Sequence, residues 1–137
     1  MLSLGMNSDQ KGFTLVEMMV VTGIIALIAA IAIPNLIRAK TNANNTSAQA
    51  TLKSVSTALE NYYAINNAYP PNTGALLTAA PPYLSKDYFA GPYNGFSFTA
   101  NLSFGGYSYS VLAVPVASTQ GTASYTITTG SVLVQNP

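Results

Sequence analysis

The sequence predicts an α+β protein in which one long amino-terminal helix packs on a small antiparallel sheet of three or four strands. Three observations support this prediction. An almost wholly apolar run extends from Met18 to Ile33, a stripe of apolar residues at helical spacing follows it, and strand-like alternation begins after Asn94. The first half of the helix is therefore predicted to cross a membrane, and the second half to present one face to a globular domain.

The apolar run is long enough to span a bilayer. Phe13 to Ile33 is 21 residues, about 31 Å as a helix. Glu17 is the one charged side chain between Gly12 and Arg38. A charge at the centre of a membrane helix costs roughly 2.5–3.5 kcal/mol, and less near an end. The eleven Phe, Leu, Ile and Val residues of the segment contribute on the order of −3 to −7 kcal/mol. The segment can therefore enter a bilayer, with Glu17 as a buried acid that needs a partner.

The composition argues against several classes of function. Nine residues are charged and the net charge is +1, so no basic footprint for nucleic acid is present. The absence of cysteine rules out disulfides and thiolate metal sites, and the absence of histidine removes the commonest general base and metal ligand. We therefore expect no cofactor, no catalytic residues and no metal site, and the chain is not predicted to be an enzyme.

The stretch Lys11-Gly12-Phe13-Thr14-Leu15-Val16-Glu17 resembles the cleavage and methylation motif of type IV prepilins and type II secretion pseudopilins. The basic residue, the glycine, the aromatic residue and the glutamate all stand at the spacing of that family. The resemblance implies that prepilin peptidase cleaves between Gly12 and Phe13 on the cytoplasmic face of the inner membrane. The same enzyme is then expected to methylate the new amino group of Phe13. A formal match to an ordinary signal-peptide site, at Ala30-Ile31-Ala32, lies further along.

Glu17 and Phe13 are predicted to direct subunit assembly. Glu17 stands in the first turn of the helix, where unpaired amides and the helix dipole favour an anion. In the membrane, its carboxylate and the amino terminus of a neighbouring subunit, at Phe13, would neutralise each other, because each is costly alone in a low dielectric. The alternative is that Glu17 only reaches the headgroup layer by snorkelling.

The helix is expected to continue, with a kink, far beyond the membrane span. Pro34 cannot donate a backbone hydrogen bond and should kink the helix, and Gly23 begins the segment of lowered helical stability that Pro34 ends. Thr14 and Thr22 are expected to bond their hydroxyls back to the preceding turn. The helix is predicted to end near Ile65.

Beyond the kink, Ala48, Leu52, Val55, Leu59 and Tyr62 recur at spacings of four and three, which predicts a buried stripe. The opposite face is expected to be polar, and it includes Ser56 and Glu60.

The carboxy-terminal part is predicted to be a loop followed by a sheet. A short helix is expected at about Gly74–Ala80. The strands are predicted at Phe96–Thr99, Tyr107–Ala113, Ser124–Thr128 and Val132–Gln135, with Asn94-Gly95, Gly105-Gly106, Gln120-Gly121 and Thr129-Gly130 as turns. Four aromatic residues of the loop are expected to cover the edge of the sheet: Tyr83, Tyr88, Phe89 and Tyr93.

These expectations divide the chain into three parts. Residues 1–12 form a cleaved leader peptide, and residues 13–40 form the transmembrane and assembly helix. Residues 41–137 form a periplasmic or extracellular domain, built from the second half of the helix, a loop over 66–95 and a sheet over 96–137.

The resemblance implies a structural subunit that starts as a single-pass inner-membrane precursor and ends in a periplasmic or extracellular filament. Its expected partners are identical or homologous subunits, prepilin peptidase and an inner-membrane assembly platform. The major secretion pseudopilin has a calcium site, and calcium prefers several carboxylate and carbonyl oxygens. After Glu60 the one acidic residue here is Asp87, which favours a type IV pilus-like filament. A type II secretion pseudopilin and a minor tip subunit that acts as a binding module are the alternatives.

Overall fold

The structure is a computed structural model that describes residues 12–103 and 106–136. The prediction for the leader peptide therefore lies outside the described residues except at Gly12. The chain divides into two compact units, with the boundary between Leu36 and Ile37. Helix α1, Leu15–Asn66, contributes to both of them.

In the first unit, α1 presents its apolar side chains to the surroundings. The exposed fractions include 74% for Leu15, 61% for Ile25 and 64% for Ile31. This part of α1 is long and apolar enough to cross a membrane, and none of the most apolar window is buried. A helix that is apolar on all sides and has no protein partner matches the composition of a membrane span.

The second unit contains the rest of α1, a short helix α2, Ala75–Thr78, and four strands. The strands are β1, Phe96–Leu102; β2, Tyr109–Pro115; β3, Ser124–Thr128; and β4, Val132–Asn136. They form one antiparallel sheet in the order β1-β2-β3-β4. The predicted α+β class and the four-stranded sheet are confirmed.

One face of α1 and one face of the sheet form the core. The predicted stripe is buried, because Leu52, Val55 and Leu59 are at most 1% exposed. The sheet contributes alternate residues to the same cluster: Phe96, Phe98, Tyr109, Val111, Ala113, Tyr125 and Ile127. Every second residue of the strands and every third or fourth residue of the helix therefore pack together in one apolar layer.

The hairpin before β1 has the predicted turn. Asn94 and Gly95 have φ angles of 48° and 80°, and the Phe96 amide donates to the Tyr93 carbonyl at 3.0 Å. Two consecutive positive φ angles define a type I′ turn, for which Asn-Gly is the preferred pair. Tyr93 and Tyr88 pack beside edge strand β1, with Tyr88 6.4 Å from the Phe98 ring.

Two details of the prediction are wrong. Tyr107 is not in β2 and is 76% exposed, because the chain turns at Gly106 (φ 74°), whose carbonyl accepts a hydrogen bond from the Tyr69 amide. Ser56 is predicted on the polar face of α1, yet it is 0% exposed. It is buried because its hydroxyl has two hydrogen-bonding partners inside the second unit.

Candidate assembly site

Glu17 and Thr14 form a capping box at the start of α1. The amide and the hydroxyl of Thr14 donate to Glu17 Oε2 at 2.8 and 2.7 Å. The Glu17 amide donates to Thr14 Oγ1 at 3.2 Å. This reciprocal pairing satisfies amides that the first turn of a helix otherwise leaves without partners. Thr14 therefore does not bond back to a preceding turn as predicted, whereas Thr22 does, to the carbonyls of Met18 and Met19.

The capping box fixes where the acid lies. Glu17 is exposed on the surface of α1, and both bonds that Thr14 donates go to the same carboxylate oxygen, Oε2. Glu17 also lines a shallow recess of about 380 Å³, together with Phe13, Val16 and Val20. The exposed carboxylate is therefore bordered by apolar side chains of the same segment.

The other predicted site residues lie on the same helix or directly before it. Gly12 and Phe13 precede α1 and are exposed, so the predicted cleavage junction is accessible. Gly23 has no atom within 4 Å of the position where a Cβ would stand, which leaves its surface open to another helix. Pro34 lies inside α1, and the helix is assigned without interruption through it. The kink at Gly23–Pro34 stays a prediction.

A second polar cluster, centred on Glu60, was missed by the sequence analysis. Tyr109 Oη and the Gly130 amide each donate to Glu60 Oε1 at 3.0 Å. Tyr69 Oη donates to Glu60 Oε2, also at 3.0 Å. The cluster ties α1 to β2, to the turn before β4 and to the chain that follows the helix. It fixes the helix on the sheet through hydrogen bonds to a charged group, which are stronger than neutral ones.

Ser56 extends the Glu60 cluster into the core. Its Oγ lies 2.8 Å from Tyr109 Oη and 2.7 Å from Ser131 Oγ. The single hydroxyl proton of Tyr109 goes to Glu60, so Tyr109 accepts a hydrogen bond from Ser56. Ser56 has then used its own proton and accepts a hydrogen bond from Ser131. The hydroxyls therefore form a chain with one direction. The signal in the sequence was Ser56 and Glu60 at i and i+4, which places both on one side of the helix.

The Glu60 cluster changes the titration of its two tyrosines. Burial, followed by the hydrogen bond to Glu60, raises the pKa of Tyr69 well above its ordinary value of 10.0. Burial also raises the pKa of Tyr109, and the hydrogen bond from Ser56 acts in the opposite direction. Both phenols are held in the neutral form because their burial and the neighbouring Glu60 carboxylate disfavour a phenolate.

Hydrogen bonds between α1 and the loop between β2 and β3 form a polar seam. Thr41 Oγ1 donates to the Thr119 carbonyl at 3.1 Å, and Asn44 Nδ2 donates to the Gln120 carbonyl at 2.9 Å. Asn45 pairs with Thr122 through Nδ2 to Oγ1 at 2.9 Å. These bonds hold the loop between β2 and β3 on α1. Sequence spacing cannot reveal such pairs, because the partners are 76 to 78 residues apart.

The described residues contain no group of three or more His, Cys, Asp or Glu side chains that could hold a metal ion. The start of α1 instead presents a carboxylate, Glu17, on the surface of an apolar helix. The fold and this capped apolar segment match the prepilin class that the sequence resembles.

Comparisons with known proteins agree with that class. The family described as "Prokaryotic N-terminal methylation motif" matches residues 7–33, which confirms the resemblance seen in the sequence. The type IV wide pilus major component PilA4 of Thermus thermophilus is 44% identical over 70 residues, 51% of this chain and 53% of that protein. The type II secretion system core protein G of Escherichia coli is 37% identical over 86 residues, 60% of this chain and 59% of that protein. The matched part thus spans little more than half of the length of these relatives.

A solved type IV pilin from Shewanella oneidensis is 21% identical, with a TM-score of 0.49, over 69% of this chain and 90% of that one. The sequence matches show two things. Residues 7–33 carry a prepilin-type methylation motif, and the relatives of the chain include both type IV pilins and secretion pseudopilins.

Proposed function

We propose that this chain is the structural subunit of a type IV pilus-like filament. It is made as a single-pass inner-membrane precursor, loses residues 1–12 to prepilin peptidase, is methylated at Phe13 and polymerises through residues 13–40. Residues 41–137 then form the outward domain of each subunit. The observation that supports the proposal most is the match of residues 7–33 to the methylation motif, a range that includes the capped acid Glu17 and the apolar start of α1.

The mechanism of assembly follows from the charges at the start of α1. Cleavage creates a positive amino group at Phe13, on a helix whose surface is apolar. Glu17 of a second copy offers the opposite charge, and the pairing removes two uncompensated charges at once. Thr14 positions Glu17 because it holds Oε2, which leaves Oε1 for the incoming group. The role is structural, and we assign no catalytic activity to the chain.

The charges of the outward domain favour a pilus over a secretion pseudopilus. Glu60 is occupied by two tyrosines and an amide, and Asp87 accepts a hydrogen bond from the Phe89 amide at 2.8 Å. Neither carboxylate is grouped with others as a calcium site requires. The pseudopilin alternative is supported by relatives such as the secretion core protein G. Fibres outside the cell indicate a pilus, whereas a subunit that stays in the envelope indicates a pseudopilus.

A minor tip subunit is the third reading, and the number of copies per filament separates it from a major subunit. Quantitative mass spectrometry of purified filaments gives that number directly. We expect this chain to be the most abundant component.

Processing is tested with a pair of leader variants. We expect Gly12→Leu to block cleavage and leave the precursor in the membrane, because a peptidase pocket that accepts glycine excludes a branched side chain. Gly5→Leu makes the same change elsewhere in the leader, and we expect it to be cleaved normally. Mass spectrometry of the amino terminus distinguishes the two products and detects the methyl group on Phe13. Cleavage of Gly12→Leu at the same junction would contradict the proposal.

A further inference from the structure

A groove of about 310 Å³ lies in the second unit, where the early part of its helix meets the loop between β2 and β3. One wall comes from α1 and the other from three hydroxyl residues of the loop. The lining includes Ile37, Arg38, Thr41, Ser118, Thr119 and Thr122.

The walls of the groove are fixed by the polar seam. Thr41 Oγ1 donates to the Thr119 carbonyl, and Asn45 Nδ2 donates to Thr122 Oγ1. These bonds occupy the Thr119 backbone and the Thr122 hydroxyl, while the side chains of Ser118 and Thr119 remain exposed. The groove therefore presents hydroxyl groups on a loop that is already held in place, so little order has to be gained when a ligand binds.

The charge of the groove is positive. Arg38 is exposed, and it is one of five basic residues in the chain. None of the described residues that line the groove is acidic. A guanidinium beside hydroxyls matches a phosphate group, because its planar fork donates two parallel hydrogen bonds to a pair of phosphate oxygens.

The position of the groove along the chain identifies the source of the phosphate. Arg38 follows Ile33, the end of the apolar run, by five residues, about 7.5 Å along a helix. The polar headgroup layer beyond each side of the hydrocarbon core is about 5–8 Å thick. Arg38 therefore falls at the depth of lipid phosphates when residues 13–33 span the bilayer.

We propose that this groove binds the phosphodiester of an anionic phospholipid headgroup while the subunit is in the membrane. Arg38 pairs with the phosphate oxygens, the hydroxyls of Ser118 and Thr119 donate to them, and Ile37 contacts the glycerol. The bound lipid must be released when the subunit leaves the bilayer. The proposal rests on the membrane-spanning part of the proposed function and not on filament formation.

The test uses the full chain in micelles of a non-ionic maltoside detergent. Phosphatidylglycerol, phosphatidylcholine and inorganic phosphate are titrated in turn, and the backbone amide shifts of residues 118–122 are followed by NMR. We expect saturable shifts with phosphatidylglycerol, weaker ones with phosphatidylcholine and none with inorganic phosphate. Shifts of equal size with inorganic phosphate would overturn the lipid assignment, and so would no shift at all in residues 118–122.

A matched pair of variants separates the groove from general attraction to anionic lipid. Arg38→Gln should weaken phosphatidylglycerol binding about tenfold, the loss expected when one charge-assisted pair is removed. Lys40→Gln removes the same charge two residues away, and Lys40 does not line the groove; we expect its dissociation constant to stay nearly unchanged. Equal losses in both variants would show non-specific attraction and overturn the proposal.

A second copy of the chain is the competing occupant. If the shifts of residues 118–122 depend on protein concentration in the absence of lipid, a neighbouring subunit fills the groove and the proposal is wrong. Cleavage and membrane insertion of Arg38→Gln are measured in the same preparations. The unmodified chain is measured in the same way. If it inserts into the membrane but binds no lipid, this inference alone is rejected. If it fails to insert, the proposed function is rejected.

Discussion

The Glu60 cluster gives a stability prediction that can be worked through in detail. Replacing Glu60 with alanine removes the acceptor for Tyr69, Tyr109 and the Gly130 amide. The two tyrosines are 6% and 3% exposed, so water cannot readily replace the lost carboxylate. Tyr109 keeps its bond to Ser56, whereas Tyr69 Oη loses its acceptor.

The magnitude follows from counting those partners. A buried polar group left without a partner costs about 1–3 kcal/mol, and a typical hydrogen bond contributes about 1 kcal/mol. One orphaned phenol, one weakened phenol and one exposed amide together give a loss of about 2–4 kcal/mol in the free energy of unfolding. Glu60→Gln keeps the shape and one acceptor, so its loss should be smaller than that of Glu60→Ala.

The assay is urea unfolding of the full chain in non-ionic detergent, followed by the near-ultraviolet circular dichroism of the tyrosines. The matched control is Asp87→Ala, which removes an exposed carboxylate with one backbone partner. We expect the control to change the free energy of unfolding by less than about 0.5 kcal/mol, as surface substitutions usually do. A Glu60→Ala loss no larger than that of the control would refute the assigned role of the cluster.

Two further predictions concern the same unit. Because folding raises the pKa of Tyr69 above its ordinary value of 10.0, the folded state holds more protons than the unfolded one at alkaline pH. The stabilisation is complete below pH 10 and is lost as the pH rises towards the folded pKa. Tyr69→Phe should therefore show a shallower decline in an alkaline urea titration, and an unchanged slope would contradict this. Gly121→Ala should destabilise the fold by about 1–3 kcal/mol, since the new Cβ overlaps the Phe96 ring. Gly91→Ala, with no atom within 4 Å of its new Cβ, is the control in a thermal melt, and equal melting temperatures would refute the packing argument.

The predictions that succeeded depend on periodicity. The spacing of Leu52, Val55 and Leu59 reports burial directly, because residues three and four apart share one face of a helix. Alternation in the strands works in the same way, and the positive φ angles at Asn94 and Gly95 follow from the turn chemistry of that pair.

The predictions that failed concern polar residues with distant partners. Ser56 is predicted on the polar face of α1 because of its residue type, but its partners Tyr109 and Ser131 come 53 and 75 residues later. No local pattern indicates which tyrosine hydroxyl a serine will meet. The burial of a polar residue therefore cannot be predicted until the positions of its partners in the sheet are known.

The capping box is a different case. Thr14 and Glu17 stand three residues apart before an apolar run, which is the sequence signature of reciprocal capping. The pairing was local and could have been predicted. Each residue also has a separate reading, the threonine as tolerated in a membrane helix and the glutamate as a charge, and neither reading alone predicts the pair.

The central claim is that Glu17 of one subunit pairs with the amino group of Phe13 on another. Solid-state NMR tests it most directly, on filaments mixed from two preparations, one with ¹⁵N-labelled phenylalanine and one with ¹³C-labelled glutamate. We predict an intermolecular contact between the Phe13 amino nitrogen and the Glu17 carboxylate, at a salt-bridge distance of up to about 4 Å. The contact should vanish in Glu17→Ala, and the yield of filaments should fall. Filaments that form in normal yield from Glu17→Ala, or a Glu17 carboxylate that contacts only Thr14 of its own chain, would contradict the claim.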